Sequence, residues 1–476
     1  MCGIVGITDH REAARLTHLA LFSQQHRGQE SAGIAVAQGA VLRVHRAMGL
    51  VQDVLGGLDF TAFKGKAAVG HVRYSTAGGS LLENAQPLSM QGVRGAVAVA
   101  HNGNLVNAVE LRQALERDGA IFQGTTDTEV ILHLVARAPG TYEEAVATAL
   151  QQCRGSFSLV FLVISEGRTR MIAVRDPWGF RPLVVGKLGR GMAFASETCA
   201  LDMIGARFIR ELEPGEMVVA ESGRMSSSRP FRAERSAACV FEQVYFARPD
   251  SVVFGATVQA ARTEMGRQLA QQMAGVKADA VVPVPDSGVH AALGFAAASG
   301  IPFQMGLIRN HYVGRTFIQP SQVMRELSVR MKLHPVREVL ENRRVVLVDD
   351  SIVRGTTSRK IVRLLRRCRV KEVHLAISSP PIIGPCYYGI DTPAEDQLIA
   401  ANKTNAEIAK FLGVESLTYL EQDRLLGAVR TAARRRPAPP DYCTACFSRD
   451  YPTDVPTVPL GRVGRTSLPV LAGGTA

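Results

Sequence analysis

Two stretches of this chain carry residues whose types and spacing could do chemistry. In Arg344–Ser358, RVVLVDDSIVRGTTS, the β-branched run Val345–Val348 ends in adjacent carboxylates, Asp349 and Asp350. Ser351, Arg354, Gly355, Thr356, Thr357 and Ser358 follow. The run reads as a buried parallel strand, and the segment through Leu365 as a helix opened by a small-residue loop. Loop N–H groups and a helix N-terminus favour a phosphate, and the three hydroxyls add donors. Neighbouring carboxylates suit ribose hydroxyls and a hard cation such as Mg²⁺. A plain strand-to-helix turn with a cap is the alternative for the acidic pair alone.

The second stretch is the beginning, MCGIVGITDH. Small Gly3 follows Cys2, the setting in which an initiator methionine is normally removed, so thiol and α-amino group would share one residue. An amino group titrating near ~8 can act as general base for the thiol. GIVGI reads as a buried strand that would hold the terminus rigidly. Chance also places cysteines at position 2.

Polar clusters follow at the ends of apolar elements. Gln25–Ile34 reads QHRGQESAGI, Gly70–Thr76 reads GHVRYST, His101–Asn104 reads HNGN after the strand Ala96–Ala100, and Thr125–Glu129 reads TTDTE before the helix Val130–Arg137. Singly, N-G is a common hairpin turn and TTDTE a common cap. Together, and in this order, they resemble the N-terminal-nucleophile glutaminase domain of class II amidotransferases. Arg73 can grip a glutamine α-carboxylate and Asp127 its α-ammonium. The side chain of Asn102 and the backbone N–H of Gly103 suit an oxyanion hole. The resemblance implies these same roles, with Cys2 forming a glutamyl thioester and releasing ammonia.

From Phe157 to Val219 short strands alternate with Arg175–Pro182 (RDPWGFRP) and Ala195–Thr198 (ASET), read as structural turns. The serine-rich segment Glu221–Glu234 is the expected domain boundary. Beyond it, Ala280–Gly288 (AVVPVPDSG) is another strand entering a polar turn. Arg315–Gln322 with Arg325, Arg330 and Lys332 reads by itself as a solvated basic helix.

Arg344–Ser358 resembles the signature of type I phosphoribosyltransferases, in the form found in glutamine-dependent amidophosphoribosyltransferases. That resemblance spans Cys2 to Cys446. It implies a four-layer αββα glutaminase domain (2–230), a parallel-sheet α/β phosphoribosyltransferase domain (231–447) and a disordered tail (448–476). It implies transfer of ammonia from glutamine to phosphoribosyl pyrophosphate, giving phosphoribosylamine, pyrophosphate and glutamate, the first committed step of purine synthesis. Mg²⁺ would sit on Ser287, Asp349 and Asp350, and the basic segment 315–332 would be a flexible loop closing over pyrophosphate. Purine nucleotides are the expected inhibitors, and a homo-oligomer, tetramer or dimer, the expected assembly. This chain departs from the pattern at Cys368-Arg369-Val370, where an Ala-Gly-containing turn is usual, and at His334, where Asn is common. Cluster-bearing relatives often carry a propeptide, whereas Met1 alone precedes Cys2 here.

Cys443-x-x-Cys446 by itself reads equally as zinc, redox or chance, and the second Cys or His pair usual for zinc is missing. The resemblance offers a fuller set: one branch of the family carries a [4Fe–4S] cluster, on positions matching Cys239, Cys386, Cys443 and Cys446. Four thiolates are the set such a cluster needs. Cys153, Cys199 and Cys368 match no motif and read as core residues.

The 476 residues allow two or three domains, with 46% hydrophobic and 21% charged content typical of a soluble globular protein. No apolar stretch approaches the roughly 20 residues that span a bilayer, and no basic segment precedes an apolar core at the N-terminus. A cytoplasmic protein is expected, with no membrane partner. The formal charge of +12 leaves nucleic acid binding open but unsupported, part of it lying in Arg434–Arg436 and the helix near 362–369. A glucosamine-phosphate or asparagine synthetase would share the first domain but lack VVLVDDSIVRGTT. A basic regulator reusing the second fold would not need Cys2, Arg73, Asn102 and Asp127.

Overall fold

The computed structural model describes residues 1–75, 78–232, 235–310, 332–433 and 441–455. Two compact units make up the chain. The first holds Met1–Ala238, Tyr387–Asp391 and the described residues from Tyr451; the second holds Cys239–Cys386 and Thr392–Asp450.

In the first unit a seven-stranded antiparallel sheet runs in the order Arg207–Glu211, Val184–Leu188, Gly191–Ala195, Gly3–Ile7, Ala68–Arg73, Ser31–Gln38, Val41–Met48. A six-stranded antiparallel sheet runs Arg224–Ser228, Met217–Glu221, Arg168–Arg175, Gly155–Ser165, Gly95–Leu105, Leu88–Gly92. The two share one core, in which Ile4, Val69 and Phe194 meet Ala98, Val160 and Leu162. Helices Ala13–Ser23, Val51–Leu55 and Thr198–Met203 cover the outer face of the first sheet. Ala108–Arg117, Asp127–Arg137 and Tyr142–Leu150 cover that of the second. The result is the four-layer αββα sandwich. It also explains the lack of alternation in the strand sequences: Leu159, Phe161 and Val163 face helices while Val160, Leu162 and Ile164 face the other sheet. A strand buried on both faces reads as a continuous apolar run.

The second unit is built on a four-stranded parallel sheet, Ala280–Pro283, Arg344–Asp349, Glu372–Ile377, Ser416–Tyr419. Helices Thr356–Arg367 and Asn405–Leu412 pack on it through Ile361, Leu365, Ile408 and Leu412. Asp349 is the last residue of its strand and Gly355 opens the helix that follows. This is where ligands bind in open α/β sheets, beyond the carboxyl ends of the strands.

Three features differ from the sequence reading. HNGN does not follow a strand but lies inside one: Gly95–Leu105 continues to pair, Asn102 opposite Ser158 and Asn104 opposite Ser156. The serine-rich segment expected at the domain boundary contains the edge strand Arg224–Ser228, whose exposed position tolerates serines; the division falls at Ala238/Cys239 rather than at 230/231. Tyr387–Asp391, expected in the second domain, belongs to the first unit.

Arg369 stands at φ 57°, the left-handed conformation that explains why glycine is usual in this turn. Its carbonyl accepts from Asn342 N–H at 3.0 Å and its guanidinium lies 3.5 Å from Glu341. The conformation costs a residue other than glycine roughly 1–2 kcal/mol. His334 pairs with Ile308 in a short two-stranded ribbon. Thr76, the basic loop except Lys332, Arg434–Arg436 and the tail from 456 lie outside the described residues. Before that point Tyr451 packs on Tyr387 and Tyr388, with ring centroids 5.1 and 6.4 Å apart.

Candidate active sites

Cys2 precedes the strand Gly3–Ile7 and is 8% exposed. Its N–H donates to Asn102 Oδ1 at 3.1 Å, and its carbonyl accepts from Arg27 Nε at 2.9 Å. Its Sγ lies 3.6 Å from the carbonyl of Tyr74. The other half of the Asn102 amide, Nδ2, is buried and meets no hydrogen-bond partner among the described residues. Gly103 has no room for a side chain, since a Cβ there would stand 2.1 Å from Ser156 O and 2.7 Å from His101 Nε2. The packing of the two sheets against each other therefore brings a thiol, an amide donor and a bare backbone segment together.

Arg73 ends the strand beside Gly3–Ile7; its Nη1 donates to Glu30 Oε1 at 2.6 Å and Gly79 O at 3.1 Å. Asp127 begins its helix, where a carboxylate is favoured, and accepts from Leu105 N–H at 2.9 Å. His101 Nδ1 lies 3.6 Å from its other oxygen. Burial alone would lower the pKa of His101, but the charge of Asp127 prevails and raises it. For Asp127 burial pushes up and His101 outweighs it, leaving the carboxyl below its ordinary range.

Two contributors were missed in the sequence. Glu197, read there as part of a turn, is fully buried and accepts from Arg27 Nη1 at 2.5 Å and pairs with His26 Nε2 at 2.7 Å. Arg27, quoted in its motif without a role, joins this pair to the Cys2 carbonyl. The available signal was the pairing of an Arg and a Glu in two strongly polar segments of an otherwise apolar domain.

In the second unit Asp349 and Asp350 are 8% and 6% exposed. Burial first, and the charge of Asp350 second, push Asp349 well above the usual carboxylate range. Ser287 Oγ lies 3.5 Å from Asp349 Oδ1, and Ser351 Oγ donates to Asp350 Oδ2 at 2.5 Å. Gly355 takes φ 71° at the start of the helix. Thr356 and Thr357 are exposed there while Ser358 is buried, so two hydroxyls rather than three face outward. Arg354 donates to Gln397 Oε1 at 2.9 and 3.1 Å, and Asp286 pairs with Arg309.

The strand ending at Cys239 pairs with the strand ending at Cys443. The carbonyl of Cys446 accepts from Ile383 N–H at 2.9 Å and Gly384 N–H at 3.1 Å, two residues before Cys386. Burial, then Cys443, Cys239 and Cys386 in turn, push the Cys446 thiol well above its ordinary value. Four thiols thus lie within electrostatic reach, and none of the eight cysteines forms a disulfide. Among the described residues no three His, Cys, Asp or Glu side chains are gathered tightly enough to hold a single metal ion. Cys153, Cys199 and Cys368 are buried, with Cys153 pushed up to about 12 by desolvation.

Sandwich and sheet, with these two sites, define a glutamine amidotransferase joined to a phosphoribosyltransferase. Residues 71–203 match a glutamine amidotransferase domain and residues 257–380 a phosphoribosyl transferase domain. The chain is 49% identical over 461 residues to the amidophosphoribosyltransferase of Archaeoglobus fulgidus, covering 96% of this chain and 99% of that one. It is 47% identical to that of Bacillus subtilis, covering 95% and 94%. Among solved structures, glutamine phosphoribosylpyrophosphate amidotransferase from B. subtilis, complexed with ADP and GMP, superposes with a TM-score of 0.88 at 46% identity, covering 96% and 98%. A structure described as the allosteric regulatory enzyme of purine biosynthesis gives 0.89, also at 46% identity, covering 96% and 97%. The chain belongs to the amidophosphoribosyltransferase family. It catalyses the glutamine-dependent amidation of phosphoribosyl pyrophosphate, the first step of purine biosynthesis.

The His101–Asp127 pair sets a pH window. Asp127, depressed, stabilises the fold above its ordinary 3.8 and loses that contribution as pH falls through its lower folded value. His101, raised, stabilises fully below 6.5 and loses it as pH rises through its higher folded value. Histidine NMR titration should place His101 above 6.5, and Asp127→Asn should lower it, because the carboxylate that chiefly opposes burial is then gone. Titration of the wild-type ring at or below 6.5 would contradict the pairing.

Proposed function

We propose that Cys2, freed of Met1, is the nucleophile for glutamine, and the observation that carries this is the divided use of Asn102. Its Oδ1 accepts from Cys2 while its Nδ2 has no partner among the described residues. Arg73 binds the substrate α-carboxylate and Asp127 the α-ammonium. The α-amino group takes the thiol proton as Sγ attacks the side-chain carbonyl. The resulting oxyanion accepts hydrogen bonds from Asn102 Nδ2 and Gly103 N–H. Collapse expels ammonia with the returned proton, and water hydrolyses the thioester to glutamate.

Ammonia then passes internally, avoiding protonation in water, and attacks C1 of phosphoribosyl pyrophosphate with loss of pyrophosphate. The 5-phosphate sits over the N–H groups and hydroxyls of Gly355–Ser358, and the ribose hydroxyls meet Asp349 and Asp350. Arg354 and Ser351 line this loop. The raised pKa of Asp349 marks two buried carboxylates short of positive charge, which fits a divalent cation. Mg²⁺ held by Asp349, Asp350 and Ser287 would neutralise charge on the departing pyrophosphate. Mg²⁺ usually keeps several waters, so two carboxylates suffice.

The four cysteines fit a [4Fe–4S] cluster. A cubane takes one thiolate at each iron, so its ligands stand further apart than those of a single ion. Purine nucleotides would act as inhibitors, since the B. subtilis relative was solved with ADP and GMP. We further infer a cytoplasmic homo-oligomer from the family resemblance. Among the described residues no helix is long and apolar enough to cross a membrane.

Glutamate and pyrophosphate should form in equal amounts from glutamine, Mg²⁺ and phosphoribosyl pyrophosphate. Cys2→Ala should lower this activity by more than ~10³-fold yet sustain pyrophosphate release from added ammonia. Glutamine-dependent turnover by Cys2→Ala would overturn the nucleophile assignment. Anaerobically purified protein should contain about four irons and four sulfides per chain, reduced by Cys443→Ser. One zinc per chain would instead replace the cluster with a mononuclear site.

A further inference from the structure

The five residues Tyr387–Asp391 lie some 285 positions beyond HNGN, yet they pack with the glutaminase unit. Their loop is pinched at its base, where Cys386 N–H donates to Thr392 Oγ1 at 2.6 Å. The carbonyl of Tyr387 accepts from Asn104 Nδ2 at 2.9 Å. The carbonyl of Tyr388 accepts from Arg181, which is fully buried, through Nε at 2.9 Å and through Nη2. The Tyr388 ring is 2% exposed and stacks on Phe180 at 4.1 Å, and its hydroxyl lies 3.0 Å from Thr453 Oγ1. Gly389, at φ 102°, lies so near that a Cβ there would stand 3.2 Å from both the carbonyl carbon and oxygen of Gly103.

We propose that Tyr387–Asp391 is a positioning strap that fixes the oxyanion-binding segment Asn102–Asn104. The inference rests on the oxyanion reading of Asn102 and Gly103. Sheet pairing holds Gly103 on one side, opposite Phe157. A glycine has no side chain with which to resist rotation of its own peptide planes, and Gly103 cannot be replaced by a larger residue because Ser156 O is too near. The strap supplies the missing constraint in two ways. Gly389 abuts the Gly103 carbonyl, and the Tyr387 carbonyl holds the Asn104 side chain. Rotation of the Gly103–Asn104 peptide, which shares the Gly103 Cα with the N–H donor, would have to displace a segment locked by Arg181 and the Tyr388–Phe180 stack. An oxyanion donor matters only in the transition state, so loosening the strap should lower kcat for glutamine while leaving KM nearly unchanged.

Gly389→Ala tests this, because its Cβ must move either the strap or the Gly103 peptide. Asn104→Asp removes the donor to Tyr387 without adding bulk. Both should lower kcat for glutamine hydrolysis by about tenfold or more, leave the glutamine KM within about twofold, and keep ammonia-dependent pyrophosphate release at the wild-type rate. Parallel loss of both activities would mean general damage and overturn the positioning role, as would a raised KM at unchanged kcat. Asn102→Asp, which removes the Nδ2 donor without adding bulk, serves as reference. If it loses glutamine hydrolysis while Gly389→Ala and Asn104→Asp keep it, the strap is refuted and the oxyanion reading stands. If Asn102→Asp keeps it too, the oxyanion reading itself fails.

Discussion

The glutaminase half depends on how the backbone of one residue is held. Cys2 is pinned at its N–H by Asn102 Oδ1 and at its carbonyl by Arg27 Nε. Neither anchor is free to drift. Asn102 sits inside a strand paired on one side to Gly155–Ser165, and Arg27 is locked to Glu197 in an ion pair with no solvent exposure. Removing one partner of such a pair leaves a buried charge uncompensated, at roughly 3–5 kcal/mol. That large penalty makes the pair a rigid fixture from which a thiol can be aimed.

The second half uses the opposite electrostatic device. Its parallel strands end in two carboxylates that burial and mutual repulsion leave short of positive charge. A few residues on, the first turn of Thr356–Arg367 offers N–H groups and exposed hydroxyls to an anion. A ligand carrying both hydroxyls and phosphates, accompanied by a cation, satisfies both ends at once. A third arrangement is the approach of Cys239, Cys386, Cys443 and Cys446, from three remote segments of this unit, to within electrostatic reach of one another.

Much of this was legible in the sequence because the chemistry sits at element ends. Cys2 precedes a strand, Asp127 begins a helix and Asp349 ends a strand, so a run of apolar residues pointed to each. Strands buried on both faces made those runs conspicuous. What stayed hidden depends on contacts between distant residues. Glu197 lies 170 positions from Arg27, and Tyr387 lies 283 from Asn104; nothing local marks either as more than a turn. The strand Arg224–Ser228 was hidden for another reason: on an exposed sheet edge, serines and an arginine carry no apolar alternation. HNGN read as following a strand because three polar residues and a glycine break the apolar run although their backbone goes on pairing.

The most direct measurement is the glutamine kcat of Asn102→Asp. This change keeps an oxygen to accept from Cys2 and removes the Nδ2 donor alone. The rate of Cys2 alkylation checks that the thiol keeps its place and reactivity beside the new carboxylate. With alkylation near the wild-type rate, kcat should fall by about 10²–10³-fold and KM should change little. An unchanged kcat would contradict the divided use of Asn102, and with it the assignment of the oxyanion site.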